Sequence, residues 1–239
     1  MRKELVKIES LTREFKPEGI KALDNVNLVV EEGEFLALTG PSGSGKSTLL
    51  KIVGGVDRPT SGRVLLDGVA INEMGDGALA AWRHRNVGFI FRTIDLVPVL
   101  TVRENVALPL LLSKLSRQQK RARVDTVLEL VGLAEHKDSS PRKLSGEQQQ
   151  RAAIARALVM EPPLILADEP TGELDAQATE EILILLGQLH SDWGKTLILA
   201  THDEGVARYA RTISRLNKGV SVEAETLGVG RVYGVPEFS

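Results

Sequence analysis

The stretch that decides the fold is GPSGSGKS, which runs from Gly40 to Ser47. It fits the pattern G-x-x-x-x-G-K-[ST] and lies between an apolar run, EFLALT, and a helical pattern, TLLKIV. In such a loop the glycines let backbone N–H groups converge on phosphate oxygens. Lys46 adds a charge for the β- and γ-phosphates, and the Ser47 hydroxyl can bind Mg²⁺. The sequence therefore predicts a strand–loop–helix unit that holds a nucleoside triphosphate, rather than a glycine-rich turn without a ligand.

Acidic residues and a histidine follow two further apolar runs. LILADE predicts a buried strand with Asp168 at its carboxyl end, where the carboxylate can hold Mg²⁺ through water. Glu169 follows at once and is placed to orient or deprotonate a water that attacks the γ-phosphate. His202 comes after the run TLILA, and we expect it to contact the γ-phosphate because the carboxyl ends of parallel strands face the nucleotide.

A second candidate anion site lies far along the chain in LSGEQQQR, from Leu144 to Arg151. Ser145 and Gln148 have the spacing of a capping box, so a helix is predicted to begin here. Such a helix start can bind an anion, because it has free N–H groups and the positive end of the helix dipole. One nucleotide does not obviously need two such sites.

The remaining pattern predicts an α/β protein. Alternating runs near the N-terminus indicate an antiparallel β subdomain, and apolar runs alternate with helical patterns after residue 158. Thr101 with Glu104, and Ser116 with Gln119, predict two capped helices within a helical insert of about residues 93–141. We expect one domain over 1–239, with a core at about 1–92 and 158–223 and a helical subdomain at about 93–157. The tail, 224–239, has no periodicity and is a candidate for disorder.

Composition excludes several classes of protein. The chain has 239 residues, a net charge of −2 and no cysteine, so a disulfide framework, thiol catalysis and a global attraction to nucleic acid are not indicated. The N-terminus does not resemble a signal peptide, and no apolar run approaches the roughly 18 residues of a membrane span. One basic run is interpreted as a solvated helix face rather than a nucleic-acid patch: Lys114, Arg117, Lys120, Arg121 and Arg123.

These motifs together resemble the ATP-binding subunit of an ABC transporter. The loop at 40–47, LSGEQQQR, LADEPTGELD and THD occur in the order of that family over about residues 5–222. The stretches GGVDRPTSG, ENVALPLLL and LADEPTGELD look closest to the LolD, MacB and FtsE group, which serves lipoprotein release and macrolide export. The resemblance implies a RecA-like P-loop NTPase core, ATP and Mg²⁺ as ligands, and a cytoplasmic location at the inner face of the membrane through a transmembrane permease subunit.

The resemblance also answers why there are two anion sites. It implies a homodimer packed head to tail, in which Ser145, Gly146 and Gln148 contact the ATP held by the other subunit. Asp175 would cross the interface, and Phe15 would stack on adenine, although a strand aromatic in the core remains the alternative for Phe15. Loss of the γ-phosphate would loosen the dimer. The expected nucleotide contacts within the loop are Gly40, Pro41, Ser42, Gly43, Ser44, Gly45, Lys46, Ser47 and Thr48.

Two residues depart from the family pattern. Arg92 stands in FIFRT where the family has glutamine, and an arginine has five donors and no acceptor. Arg92 could pair with the γ-phosphate or turn toward a partner surface, and altered hydrolysis or coupling is expected. Glu147 replaces the second glycine of the signature motif, and its carboxylate is tolerable beside a triphosphate only if it points away.

Two other functions stay open at this point. A soluble ABC ATPase of DNA repair or translation is disfavoured, because neither a long coiled-coil insert nor a second cassette is visible. An FtsE-like regulatory ATPase, which gates a membrane partner without transport, remains an alternative to export or release of a lipoprotein, peptide or drug.

Overall fold

The computed structural model describes residues 3–17 and 19–226. Its strands are β1 Glu4–Phe15, β2 Ile20–Glu31, β3 Phe35–Thr39, β4 Ser61–Leu66, β5 Val69–Ala70, β6 Val87–Ile90, β7 Leu164–Asp168, β8 Thr196–Thr201, β9 Thr212–Asn217 and β10 Val220–Thr226. Its α-helices are α1 Lys46–Val53, α2 Asp76–Asn86, α3 Val102–Ala107, α4 Arg117–Leu130, α5 Gly146–Leu158, α6 Ala176–Ser191 and α7 Glu204–Ala207. Short 3₁₀ helices lie at Ile71–Glu73, Leu108–Leu112, Ala134–His136 and Pro141–Lys143.

A six-stranded sheet in the order β10-β9-β3-β8-β7-β6 forms the centre of the fold. All neighbouring strands are parallel except β10, which pairs with β9 in antiparallel fashion. The parallel register pairs Thr39 with Thr201 and Asp168 with Ala200, so β3, β7 and β8 end at one edge. The P-loop (residues 40–47), Asp168–Glu169 and His202 therefore emerge side by side, as the apolar runs predicted.

A second sheet, β2-β1-β4-β5, is antiparallel throughout. Its inner face packs on α1 and the central sheet in one apolar core, which includes Val6, Ile8, Leu50 and Leu166. The alternation predicted for the first 31 residues is visible in the burial of β2, where every second residue from Val26 to Val30 is buried. The predicted α/β class with an antiparallel subdomain is confirmed.

The helical insert packs against the opposite face of the central sheet. Its apolar core joins residues of α3, α4 and α5, among them Val106, Leu128 and Ile154. The three predicted capping boxes, opened by Thr101, Ser116 and Ser145, are all present. Helix α3 ends at Ala107, two residues before Pro109, because proline cannot continue the α-helical hydrogen bonding; a 3₁₀ turn follows.

The C-terminal hairpin predicted around residues 217–219 forms between β9 and β10. Strand β10 runs to Thr226, and the rest of the predicted tail, 227–239, lies outside the described residues. Within the described part of the chain, no helix has the length and apolar character needed to traverse a bilayer.

Candidate nucleotide site

At two positions of the P-loop, Gly40 and Gly45, the backbone leaves room only for glycine. Gly45 has φ 102°, and a Cβ there would lie 2.3 Å from the carbonyl oxygen of Ala22. At Gly40, a Cβ would lie 2.1 Å from the carbonyl oxygen of Leu216. Both contacts are with backbone atoms, which cannot rotate away as a side chain can. The neighbouring strands thus enforce the loop that the motif predicted.

Lys46 directs its charge into this loop. Its side chain is buried, and Nζ donates to the carbonyl oxygens of Gly40 and Pro41 at 2.7 and 3.1 Å. An ammonium group held in that position is available to phosphate oxygens without a large movement, since lysine binds phosphate as a point charge.

An open cavity of about 290 Å³ lies beside the loop. It brings together most of the residues predicted to bind the nucleotide, and its lining consists of Ala22, Ser42, Gly43, Ser44, Gly45, Lys46, Ser47, Thr48, Arg92, Asp168 and Glu169. Gly40 and Pro41 contribute through their carbonyl groups to Lys46. Ala22, which the motifs did not predict, enters the site because β2 passes beside Gly45.

The residues predicted to bind magnesium are in direct contact. The Ser47 hydroxyl donates to Asp168 Oδ1 at 2.9 Å. Burial raises the pKa of the Asp168 carboxyl, and the hydrogen bond from Ser47 offsets part of that shift. Hard oxygen donors of this kind suit Mg²⁺, which takes one or two protein ligands and completes its shell with water and phosphate oxygens. The residues present therefore fit the ion.

Glu169 and His202 form a pair across the edge of the sheet. His202 Nδ1 lies 2.7 Å from Glu169 Oε1, and because an ionised carboxylate only accepts hydrogen bonds, Nδ1 carries the proton. The Glu169 side chain is only 16% exposed, whereas the histidine ring is largely open to solvent. Glu169 also has φ 48°, a left-handed conformation that is strained for this residue type and typical of functional sites.

Arg92 follows β6 and lines the same cavity. Its Nε lies 3.9 Å from Glu173 Oε1, and it passes close to Gly172, where a Cβ would lie 3.1 Å from that nitrogen. The guanidinium is about half exposed and is not locked by this distant contact. Arg92 thus lies at the cavity beside the P-loop, one of the two positions that the sequence left open.

Phe15 ends β1 with an exposed ring rather than a core one. The Arg13 guanidinium lies 4.6 Å from the ring centroid, and neither side chain lines the cavity beside the P-loop. The core alternative for Phe15 therefore does not hold.

The start of α5 does not line that cavity either. Ser145 is exposed and accepts from the Gln148 N–H at 3.2 Å, while Gln148 Oε1 accepts from the Ser145 N–H at 3.1 Å. Asp175 caps α6 in the same way, by accepting from Ala178 N–H at 2.9 Å. Within one chain, the signature helix and the P-loop are therefore separate sites.

A family model described as ABC transporter matches residues 23–172. This range contains the P-loop, the signature start and the Asp168–Glu169 pair. The chain belongs to the family of ABC transporter ATP-binding proteins. The family inferred from the motifs is therefore confirmed.

Relatives in this ABC family cover nearly the whole chain. An uncharacterised ABC transporter ATP-binding protein of Bacillus subtilis, YvrO, is 48% identical over 212 residues, which are 87% of this chain and 92% of that protein. The lipoprotein-releasing system ATP-binding protein LolD of Geobacter metallireducens is 46% identical over 200 residues, 84% of this chain and 89% of that protein. A solved structure, the dimeric post-hydrolysis state of the ATP-binding cassette MJ0796 with ADP and Pi, matches with a TM-score of 0.84 and 42% identity. It covers 93% of this chain and 98% of that one, and the MJ0796 protein is from Methanocaldococcus jannaschii.

In this ABC cassette, the sequence motifs did not predict two residues that hold segments near the site in place. Asn105 is fully buried on α3 and holds the loop after β6, because its amide accepts from Val97 N–H at 2.7 Å and donates to the Val97 and Leu100 carbonyls at 3.1 and 3.3 Å. Arg151 on α5 contacts Glu147 and Glu181. Asn105 shares the face of α3 that carries Val102 and Val106, and this spacing was the visible signal for its burial; the pairing of Arg151 with Glu181 had none.

Proposed function

We propose that this chain binds and hydrolyses ATP with Mg²⁺ as the ATPase subunit of a membrane transporter, and that two copies enclose two ATP molecules. The observation that carries the proposal is the convergence of Lys46, Ser47, Asp168 and Glu169 on one cavity. The similarity of the chain to named ATP-binding subunits of ABC transporters supports this function.

In this mechanism each residue in or near the cavity has one task. The P-loop N–H groups and Lys46 bind the phosphates, and Ser47 with Asp168 would hold Mg²⁺, which when bound would supply charge neutralisation to the phosphates. Glu169 orients the attacking water and accepts its proton. His202 donates to Glu169 and so fixes the direction of that carboxylate, and we expect its exposed ring to contact the γ-phosphate. Phe15 would stack on adenine.

The start of α5 serves the triphosphate of the second copy. Ser145 Oγ accepts a hydrogen bond within the cap, so its own O–H hydrogen remains available for donation to the triphosphate. The N–H groups of the first turn, beginning with Gly146, form a helix start that favours anions. Gln148 completes that turn, and Asp175 lies at the neighbouring interface. The dimeric state of MJ0796 supports this arrangement.

The membrane partner is proposed to dock on the loop after β6 and the 3₁₀ turn after α3. Exposed apolar side chains lie on both segments: Val97, Val99, Leu111 and Leu112. Val99 is 87% exposed and Leu112 is 82% exposed, which is costly in water unless a partner covers them. The chain would then be peripheral at the cytoplasmic face of the membrane.

The names of relatives such as LolD and MacB support export or release of a lipoprotein, peptide or drug as the transport function.

The purified chain should hydrolyse ATP only with Mg²⁺, and it should retain a permease subunit from detergent-solubilised membranes.

The variant Leu112→Asp is expected to retain about tenfold less of that permease subunit, because a charge replaces an apolar contact, while ATP turnover by the isolated chain stays unchanged. Val69→Asp, on an exposed valine of the other sheet, is the matched control. Equal retention by both variants would place the docking surface elsewhere. A cargo assay in vesicles separates transport from gating without transport.

Arg92 is proposed to bind the γ-phosphate, since it lines the cavity and its contact with the Glu173 carboxylate is long. Replacement by the family's glutamine, Arg92→Gln, is expected to raise the KM for ATP by about tenfold, because a charge-assisted hydrogen bond is lost. Stimulation by the membrane partner should change as well. Steady-state kinetics with and without that partner measure both, and Arg117→Gln on exposed α4 is the control. Unchanged turnover together with unchanged stimulation would remove this role.

A further inference from the structure

The signature motif of this chain carries a carboxylate beside an anion site. Glu147 is the second residue of α5, directly after Gly146, in the turn whose N–H groups are proposed to receive a triphosphate. A free carboxylate there would repel that ligand, since two anions a few ångströms apart interact by several times RT unless well screened. It would also compete for the same N–H groups, because acidic side chains are themselves stabilised at a helix start.

The structure gives this carboxylate a different partner. Glu147 Oε1 pairs with Arg151 Nε, one turn further along the same helix, and both side chains are mostly buried. Arg151 lies four positions after Glu147, so the pair lies along the helix surface and draws the carboxylate away from the helix start. The Glu147 carboxylate is thereby paired with a guanidinium and directed along the helix.

Arg151 is itself held by two other elements. Its Nη2 contacts Glu181 on α6 at 3.1 Å, and its Nη1 donates to the carbonyl oxygen of Val131, just after α4, at 3.2 Å. Hydrogen bonding by Gln177, by Glu147 and by the Arg151 guanidinium lowers the pKa of Glu181, so the Glu147 and Glu181 carboxyl groups meet at the same guanidinium. A guanidinium with three fixed contacts has little freedom to leave Glu147.

We propose that Arg151 is a positioning residue for the signature motif, which keeps the Glu147 carboxylate off the partner's triphosphate and so allows an acid in that motif. The inference rests on the proposed function, because it concerns the triphosphate of the second copy. It predicts a specific dependence: Arg151 is needed because Glu147 is present. A purely structural arginine, required for its bonds to Glu181 and Val131, would be needed whatever residue stands at 147.

The test measures ATP-driven dimerisation by sedimentation equilibrium, in chains that also carry Glu169→Gln and so keep their ATP. Arg151→Met is expected to raise the dimer dissociation constant by at least about tenfold, because the freed carboxylate turns toward the triphosphate. Adding Glu147→Gln to Arg151→Met is expected to restore dimerisation to within about threefold of the parent. Glu181→Gln, which leaves the Glu147 pair in place, is expected to have a small effect.

Two results would overturn the inference: an Arg151→Met chain that dimerises like the parent, or a double variant that dimerises no better than Arg151→Met. Should Arg151→Met fail to melt cooperatively, Arg151→Lys replaces it. A lysine keeps the charge beside Glu147 and loses the guanidinium contacts, so parent-like dimerisation is expected, and weak dimerisation would contradict the proposal. A parent that does not dimerise with ATP would instead contradict the proposed function, so the two failures are distinguishable.

Discussion

Replacing Glu169 with glutamine should stop hydrolysis and trap an ATP-bound dimer. Glutamine has nearly the shape of glutamate and can still face His202, but it cannot take a proton from water. A general base contributes about 10²–10⁴-fold to a rate, so turnover should fall by that order. Because the triphosphate is then not consumed, dimers should accumulate with ATP and Mg²⁺ and be absent with ADP.

Light scattering after gel filtration measures this dimer, and release of phosphate measures the turnover. Glu204→Gln, an exposed glutamate at the start of α7 near His202, is the matched control and should hydrolyse ATP like the parent chain. A Glu169→Gln chain that remains monomeric at saturating ATP and Mg²⁺ would show that the ligand does not join two copies. One that hydrolyses normally would remove Glu169 from the chemistry.

The parts of the site that sequence predicted are those set by local backbone rules. The P-loop follows from glycines at positions such as Gly45, where φ 102° and the approach of β2 allow no side chain. Asp168 and His202 could be placed because apolar runs predict parallel strands, and such strands end at one edge. Capping boxes such as that of Ser145 are likewise local, since they involve residues three apart.

The parts that sequence did not predict arise from contacts between distant segments. The direction of Glu147 depends on Arg151, and Arg151 also contacts Glu181, which is thirty residues further on and reaches it because α5 packs against α6. Arg92 likewise passes close to Gly172, a residue eighty positions further along the chain, where a Cβ would crowd it. Single-sequence patterns contain periodicity and spacing, and neither specifies which side chains meet across two packed helices.

The central claim is that each ATP lies between the P-loop of one copy and the signature start of the other. The chain has no cysteine, so single cysteines can be introduced without removing native ones. Ser42 lines the P-loop cavity and Ser145 is exposed at the start of α5. We expect Ser42→Cys and Ser145→Cys chains, mixed in the Glu169→Gln background, to be joined by a short bis-maleimide with ATP and Mg²⁺ but hardly with ADP.

A denaturing gel reads this experiment directly, because only a cross-link between copies doubles the mass. Each variant alone is the control and should give little dimer band, since the head-to-tail arrangement places unlike segments together. The account predicts a strong ATP-dependent band in the mixture. Dimers that form with ATP yet cross-link only Ser145→Cys to Ser145→Cys, and never Ser42→Cys to Ser145→Cys, would contradict it.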